Sequence, residues 1–462
     1  MSLLQTIVDS NGKQINFQYQ TVDNNRTMTI TGPDNSKYVI NMSRQSSNIP
    51  WQQNQFQLDS VQDQVGAVTS FSYDIGTFLF DWTSKTPSAV NGTLLLRQVT
   101  YPSGAQLRFN YGWRNTNLGR NGSRQTYIVT SRELFTNGRA YQHTTFNYQG
   151  DPTAFPQQVD RPPANHTYTT AVTQNNGLRT VYTFNNLHLN IQQRTQNASN
   201  ILLSEQTIAY NTDRLPTSIT LTEHSNGFSR TTTSRFYYNR YGQITTAVSP
   251  QAQGSPHAQY RTTTTYDNRF GLPLTTTFMP NAQTTIREVN RLTADGRSIA
   301  GTYIYENNVR MSRTDFLHDT HGNVTEIREF PNATAAAFIT TQITYDRGTM
   351  PTSIRTLNVR DANNVLAGGT GIVERRFTYD AMWRVLSETD PMGYVTSWQY
   401  DRIGRVTRVT HPNGSFETYT YNDTQNTLTH RTILGATYTH RFDGLGNLLT
   451  ITDPNGVRPD RV

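Results

Sequence analysis

Cysteine is absent from the 462 residues. That excludes disulfides, thiolate metal sites and a cysteine nucleophile, and by itself fixes no compartment. Charge and aliphatic bulk are also scarce, with 16% charged and 34% hydrophobic residues. The first figure is too low for disorder driven by charge, and the second is too low for a thick aliphatic core. No run approaches the ~18 consecutive apolar residues of a membrane-spanning helix, so no membrane span is expected. Met1-Ser2-Leu3-Leu4-Gln5 lacks the basic and apolar regions of a signal peptide. Lysine occurs only as Lys13, Lys37 and Lys85. The rest of the positive charge is arginine, scattered singly and often set after a turn glycine or its equivalent, as at Arg139, Arg297, Arg384 and Arg405. A nucleic-acid groove needs basic residues clustered on one face, so no nucleic-acid partner is expected. Arginine beside tyrosine reads instead as cation–π and stem packing along a sheet.

What is present is uncharged polar sequence (Thr, Asn, Gln, Ser) together with 25 Tyr and 20 Phe. Aromatics bury ~150–250 Å² each, and Thr, Tyr, Phe and Val suit half-buried pleated surfaces. The fold class expected is all-β.

A fixed interval organises the C-terminal part. Tyr379-Asp380, Tyr400-Asp401, Tyr421-Asn422 and Phe442-Asp443 recur every 21 residues, and Gly393, Gly414, Gly435 and Gly456 keep the same interval. Two markers holding one period across four units denote an array. Within a unit, Tyr400-Asp401-Arg402-Ile403-Gly404-Arg405 reads as a turn, since Asp can fold onto its own backbone and Gly accepts positive φ. Val406 to Thr410 is β-rich, and His411-Pro412-Asn413-Gly414 is a second turn whose Asn-Gly step favours primed geometry. Each unit is thus one β-hairpin, and tandem hairpins give a continuous antiparallel ribbon.

Aromatic couplets separated by one residue precede these turns along the whole chain, from Phe17/Tyr19 through Phe236/Tyr238 to Phe377/Tyr379. Residues two apart share a face, so the couplets are expected to stack as aromatic ladders across strands. Asn-Gly steps such as Asn91-Gly92 and Asn176-Gly177 punctuate the N-terminal half as turns. Loops are expected at Arg161 to Ala164 and Ser249 to Pro256, and the helix-leaning patch Ala333 to Ala337 is too short to matter. The array reads as irregular over 1–200, loose over 201–378 and strict over 379–462, with no true domain boundary and an incomplete last unit.

No zinc-protease, phosphate-loop, nucleophile-elbow or dinucleotide motif appears. His318 and His321 have metal-like spacing, but His318 occupies the repeat's tyrosine slot and reads as packing. No catalytic residue, metal or cofactor is expected.

Tyr-Asp-x-x-Gly-Arg followed by Asp-Pro-x-Gly or His-Pro-Asn-Gly over Tyr379–Gly456 resembles the Rhs/YD-repeat family. That family comprises rearrangement-hotspot proteins, wall-associated YD proteins, toxin-complex C components and the teneurin shell. The resemblance implies a spiralling antiparallel sheet that curls into a partial or open hollow shell around a C-terminal effector. It implies a structural encapsulation scaffold, not an enzyme, of a secreted or cell-surface bacterial protein. The expected partners are the remainder of the shell or an effector absent from this chain. The alternative is a surface protein binding cell-wall polysaccharide, with Trp51, Trp82, Trp113 and Trp383 as the platform and Trp398 on the ladder. Family members with toxins carry a paired Asp-Pro-x-Gly autoprotease, for which Asp390 and Asp453 are the residues to nominate by resemblance. Both sit on the repeat interval and read as ordinary turns. The last unit breaks off about two-thirds through, just beyond Asp453-Pro454-Asn455-Gly456-Val457, and no return strand is expected, as in part of a larger shell.

Overall fold

The computed structural model describes the residues other than 1–2, 9–12, 34, 45–55, 81–88, 118–122, 137, 151–163, 226, 253–259, 331–337, 347–349, 360–365, 367–369, 445 and 460–462. The expected loop at 161–163, most of that at 249–256, the Ala333 to Ala337 patch, Trp51 and Trp82 fall wholly or largely outside them. The described residues form 34 strands in one sheet, and the sole helical element among them is a 3-10 turn at Pro250–Ala252. Each strand pairs antiparallel with its neighbours in sequence, as Val395–Tyr400 pairs with Val385–Thr389 on one side and Val406–Thr410 on the other. The all-β hairpin array expected from the interval is therefore the fold.

The sheet is one layer thick. Among the described residues, the only buried hydrophobic side chains are Val99, Ala105, Ala171, Val248 and Ala300. The accessible surface is 28802 Å², whereas a compact monomer of this mass would expose about 17,600 Å². Most side chains are half-buried against strand neighbours, which is why a chain poor in aliphatics can form this fold.

Strands twist by about −20 to −25° each, so so many consecutive strands cannot stay flat. Here the sheet coils until its later turns meet its first ones. Lys13 Nζ donates to the carbonyl of Ala381 at 3.0 Å, 368 residues away. Ser103 Oγ donates to the carbonyl of Gly444 at 2.9 Å, 341 residues away. Asn426 Nδ2 donates to the carbonyl of Ser103 at 3.1 Å. These are contacts between hairpin turns, so successive coils meet rim to rim along a seam.

Three local expectations are corrected. Asn91-Gly92 lies inside the strand Ala89–Thr100, with Gly92 opposite Thr77, because the long partner strand Val68–Phe80 imposes pairing on it. The last unit does have a return strand, Gly456–Pro459, paired with Leu448–Asp453. The turn at Asn413-Gly414 is not primed: only Gly414 has positive φ, +81°. His411 and Ser415 close a loop of three residues ending on left-handed glycine, the type I turn plus G1 bulge.

Candidate functional site

The repeat unit itself is the site to be explained. In the turn after Tyr400, Asp401 Oδ1 accepts from the backbone N–H of Ile403 at 3.1 Å and of Arg405 at 2.9 Å. Asp380 does the same for Met382 and Arg384. The acidic residue is thus an internal cap for a three-residue loop. Gly404 closes that loop at φ +92°, and Trp383 holds the equivalent slot at φ +68°. Asp390 caps Met392 and Tyr394 in the same way, and Asp453 accepts from Asn455.

The arginine after the glycine links one unit to the next. Arg405 Nε donates to Asp401 Oδ2 at 2.6 Å, while its other nitrogens donate to Asp423 at 2.6 and 3.2 Å. Its guanidinium lies 4.2 Å from the Tyr421 ring centroid. Burial would lower the Arg405 pKa, but hydrogen bonds to Asp423 and Asp401 outweigh it and hold the value above the ordinary arginine range. Arg384 repeats the pattern, bonded to Asp380 at 2.5 Å and to the Asp401 carbonyl at 3.0 Å.

Each tyrosine has a partner that the sequence does not reveal. Tyr400 Oη donates to the carbonyl of Val385 at 2.8 Å, and Tyr421 Oη to that of Val406 at 3.0 Å. Val385 stands directly opposite Tyr379, and Val406 opposite Tyr400, each at a register shift in the ladder. Ten tyrosines obey this rule: Tyr73, Tyr111, Tyr148, Tyr210, Tyr238, Tyr266, Tyr345, Tyr379, Tyr400 and Tyr421. The acceptor is always the residue across from the preceding unit's tyrosine slot. A bulge disrupts the ladder locally, and the phenol satisfies a main-chain carbonyl there. Burial raises the pKa of Tyr400 and Tyr421 above the ordinary phenol value. The expected aromatic ladders are accordingly hydrogen-bonded rows, not ring stacks. Tyrosine slots fall on alternate strands, about 9–10 Å apart, too far for ring contact but within hydroxyl reach of the strand between.

The unit that begins at Tyr421 departs from this pattern. Tyr421 faces Leu428 with no register shift, because Asn422 to Asn426 makes a longer turn without glycine. Phe442 keeps the shifted register opposite Leu448 but has no hydroxyl to donate. His318 sits in the tyrosine slot opposite Val324, and the backbone N–H of His321 bonds to Asp319 within the turn. Among the described residues no group of three or more His, Asp or Glu is placed to hold a metal.

One polar cluster lies on the strict units. Glu417 accepts from Tyr419 at 2.9 Å and is bonded to His411 Nε2 at 3.1 Å and His430 Nε2 at 2.7 Å. Tyr419 and His430 stack at 4.6 Å with an interplanar angle of 1°. His430, His411 and Tyr419 together hold the Glu417 carboxyl below the usual glutamate value. The cluster ties two strands and a turn together.

Of the tryptophans, Trp113 is 58% exposed, whereas the Trp383 ring is covered by Lys13 Nζ, 3.8 Å from its centroid. A cleft of about 660 Å³ lies between neighbouring units over 317–345, and two others lie along the seam. One of about 520 Å³ is lined by residues including Lys13, Pro33, Asp346 and Asp380, and one of about 940 Å³ separates Val65–Ala67 from residues 399–424.

Residues 384–418 match the family model described as RHS Repeat. That span holds the Arg384 link, the Asp390 turn, the Tyr400 slot and the Asp401-Gly404 loop. This stretch is an RHS repeat. No curated protein matches the chain. Among solved structures, the Photorhabdus luminescens Tc holotoxin pore bearing a TccC3 point mutation is 11% identical, with 98% of this chain and 30% of that one covered at a TM-score of 0.32. The TcdB2-TccC3 structure is 11% identical, with coverage of 97% and 31% and a TM-score of 0.28. The chain therefore spans less than a third of the length of either chain. Around the RHS repeat, no helix among the described residues is long and apolar enough to cross a membrane.

Proposed function

We propose that this chain is a length of wall from an RHS-type shell, a structural encapsulation scaffold of a secreted or cell-surface, toxin-type bacterial protein. The observation that carries the proposal is a single-layer antiparallel sheet that coils back onto its own rim after 323 to 368 residues. A sheet of that kind separates space without filling it. The RHS repeat at 384–418 supports the same reading. The irregular units over 1–200, the loose ones over 201–378 and the strict ones over 379–462 then serve as one continuous array. Its partners are the remainder of the wall and an effector polypeptide held inside, and its role is architectural, not catalytic.

Electron cryomicroscopy of the purified protein tests the wall reading. The expected result is a curved, one-strand-thick wall around a solvent-filled lumen. A filled two-layer sandwich would sink it. Protease protection of a polypeptide encoded downstream, when co-produced with this chain, tests the cargo role separately.

A further inference from the structure

The sheet has two rims. The tyrosine rim carries the turns that follow the tyrosine slots, such as 380–384 and 443–447; the counter rim carries the alternate turns, such as 101–105 and 390–394. At the seam the two already meet, tyrosine rim on counter rim, through Lys13 with Ala381 and Ser103 with Gly444. The fit there is close: a Cβ added at Gly444 would fall 3.0 Å from the Ala105 Cβ.

Beyond the overlap, both rims carry uncovered apolar tips. On the counter rim of the strict units, Met392 is 79%, Ile433 50% and Leu434 90% exposed. A Cβ added at Gly393 or Gly414 would meet nothing within 4 Å, so this rim faces open space. On the tyrosine rim of the middle units, Tyr241 is 56% and Phe270 51% exposed, with Arg240 against one face of Tyr241 and Arg269 and Arg297 beside Phe270, so each ring offers its remaining surface. At the seam the same rim uses the aromatic tip of Trp383 to seat Lys13.

We propose that the uncovered counter rim at Met392 and Leu434 is an interaction surface for the uncovered tyrosine rim at Tyr241 and Phe270 of a second copy of this chain. The association extends the contact already made at the seam, and it removes aliphatic, thioether and aromatic tips from water together. Because the two patches differ, the contact is heterologous, and copies add head to tail. The inference goes beyond the wall reading and does not depend on it.

Sedimentation velocity on the full chain over a concentration series tests it. The wild type is expected to show a weight-average sedimentation coefficient that rises with concentration. Met392→Asp/Leu434→Asp and Tyr241→Asp/Phe270→Asp should each remain monomeric. An equimolar mixture of the two variants, each keeping one intact rim, should give a species of twice the monomer mass and nothing larger. Far-UV circular dichroism verifies folding, with the corresponding Ser substitutions replacing any aspartate variant that fails to fold. A wild type that stays monomeric, association that survives either variant (as pairing through the edge strands would), or a mixture without dimers would overturn the proposal.

Discussion

Arg384 donates to the backbone carbonyl of Asp401 at 3.0 Å, one repeat further along, while its Cδ lies 3.6 Å from where a Cβ on Gly404 would stand. The Gly-Arg step is therefore a link between units as well as a turn. The same side-chain-over-glycine placement joins Leu215 to Gly242 and Gln243 to Gly271.

Gly404→Ala should destabilise the strict units by about 1–2 kcal/mol, since the added Cβ has room but the left-handed backbone penalises it. Amide hydrogen exchange across 395–410 should show the loss locally, as expected of a repeat array. Trp383→Gly should behave differently. It relieves the φ of +68° but uncovers Lys13, so Lys13 should acylate faster than Lys37 relative to wild type, with little change in melting.

Tyr400→Phe and Tyr421→Phe should each cost about 1 kcal/mol, because the ring stays and a half-buried carbonyl loses its donor. Urea denaturation of the two single variants checks this. Removing the ring as well, in Tyr400→Ala, should cost several times more.

The tyrosine rows also predict alkaline sensitivity. Burial raises the folded pKa of Tyr345, Tyr379, Tyr400 and Tyr421 above 10.0. A group whose folded pKa is raised contributes stability fully below its unfolded pKa and loses it as pH rises through the folded value. Stability should thus fall above about pH 10. Absorbance of tyrosinate and loss of β-sheet ellipticity should rise together in one titration.

Glu417 gives the opposite sign. Its folded pKa is lowered from 4.5 by His430, His411 and Tyr419, so its contribution is present above the unfolded value and lost as pH falls through the folded one. Glu417→Gln should flatten that acid limb of the stability profile, and it should alter the alkaline limb only through Tyr419, whose phenol is raised first by burial and then by Glu417. Thermal melts from pH 3 to 11 separate the two.

The seam can be tested covalently because the chain contains no other thiol. Ala105→Cys with Gly444→Cys places two Cβ atoms 3.0 Å apart, about half an ångström inside the usual disulfide separation. Thr136→Ala should be included, since its Oγ1 lies 2.6 Å from the new Cβ. Oxidation should yield an intramolecular bridge visible as faster migration on non-reducing gels. Failure to bridge would argue against the coil closing on itself.

Much of this was readable from the residues. The interval of Tyr379, Tyr400, Tyr421 and Phe442 gives the hairpin period, and the glycine at 404 marks a loop that needs positive φ. The weak match of Tyr421 to Asn426 to that pattern corresponds to a unit without a bulge. Other features were hidden for physical reasons. The tyrosine hydroxyls bond to main-chain carbonyls, which every residue carries, so no sequence marker identifies Val385 or Val406. Trp383 in a glycine slot defies backbone preference, and it takes on a role only through Lys13, which arrives from the far end of the chain. The small residue at 444 looks like one more turn position until the first coil is laid against it.

A wall one layer deep leaves much of its hydrocarbon wet even when folded. Unfolding then uncovers less new apolar area per residue than it does in a filled domain, and the heat-capacity step shrinks with that area. The stability of this protein should change only gently between cold and warm, with a shallow denaturant slope for its length.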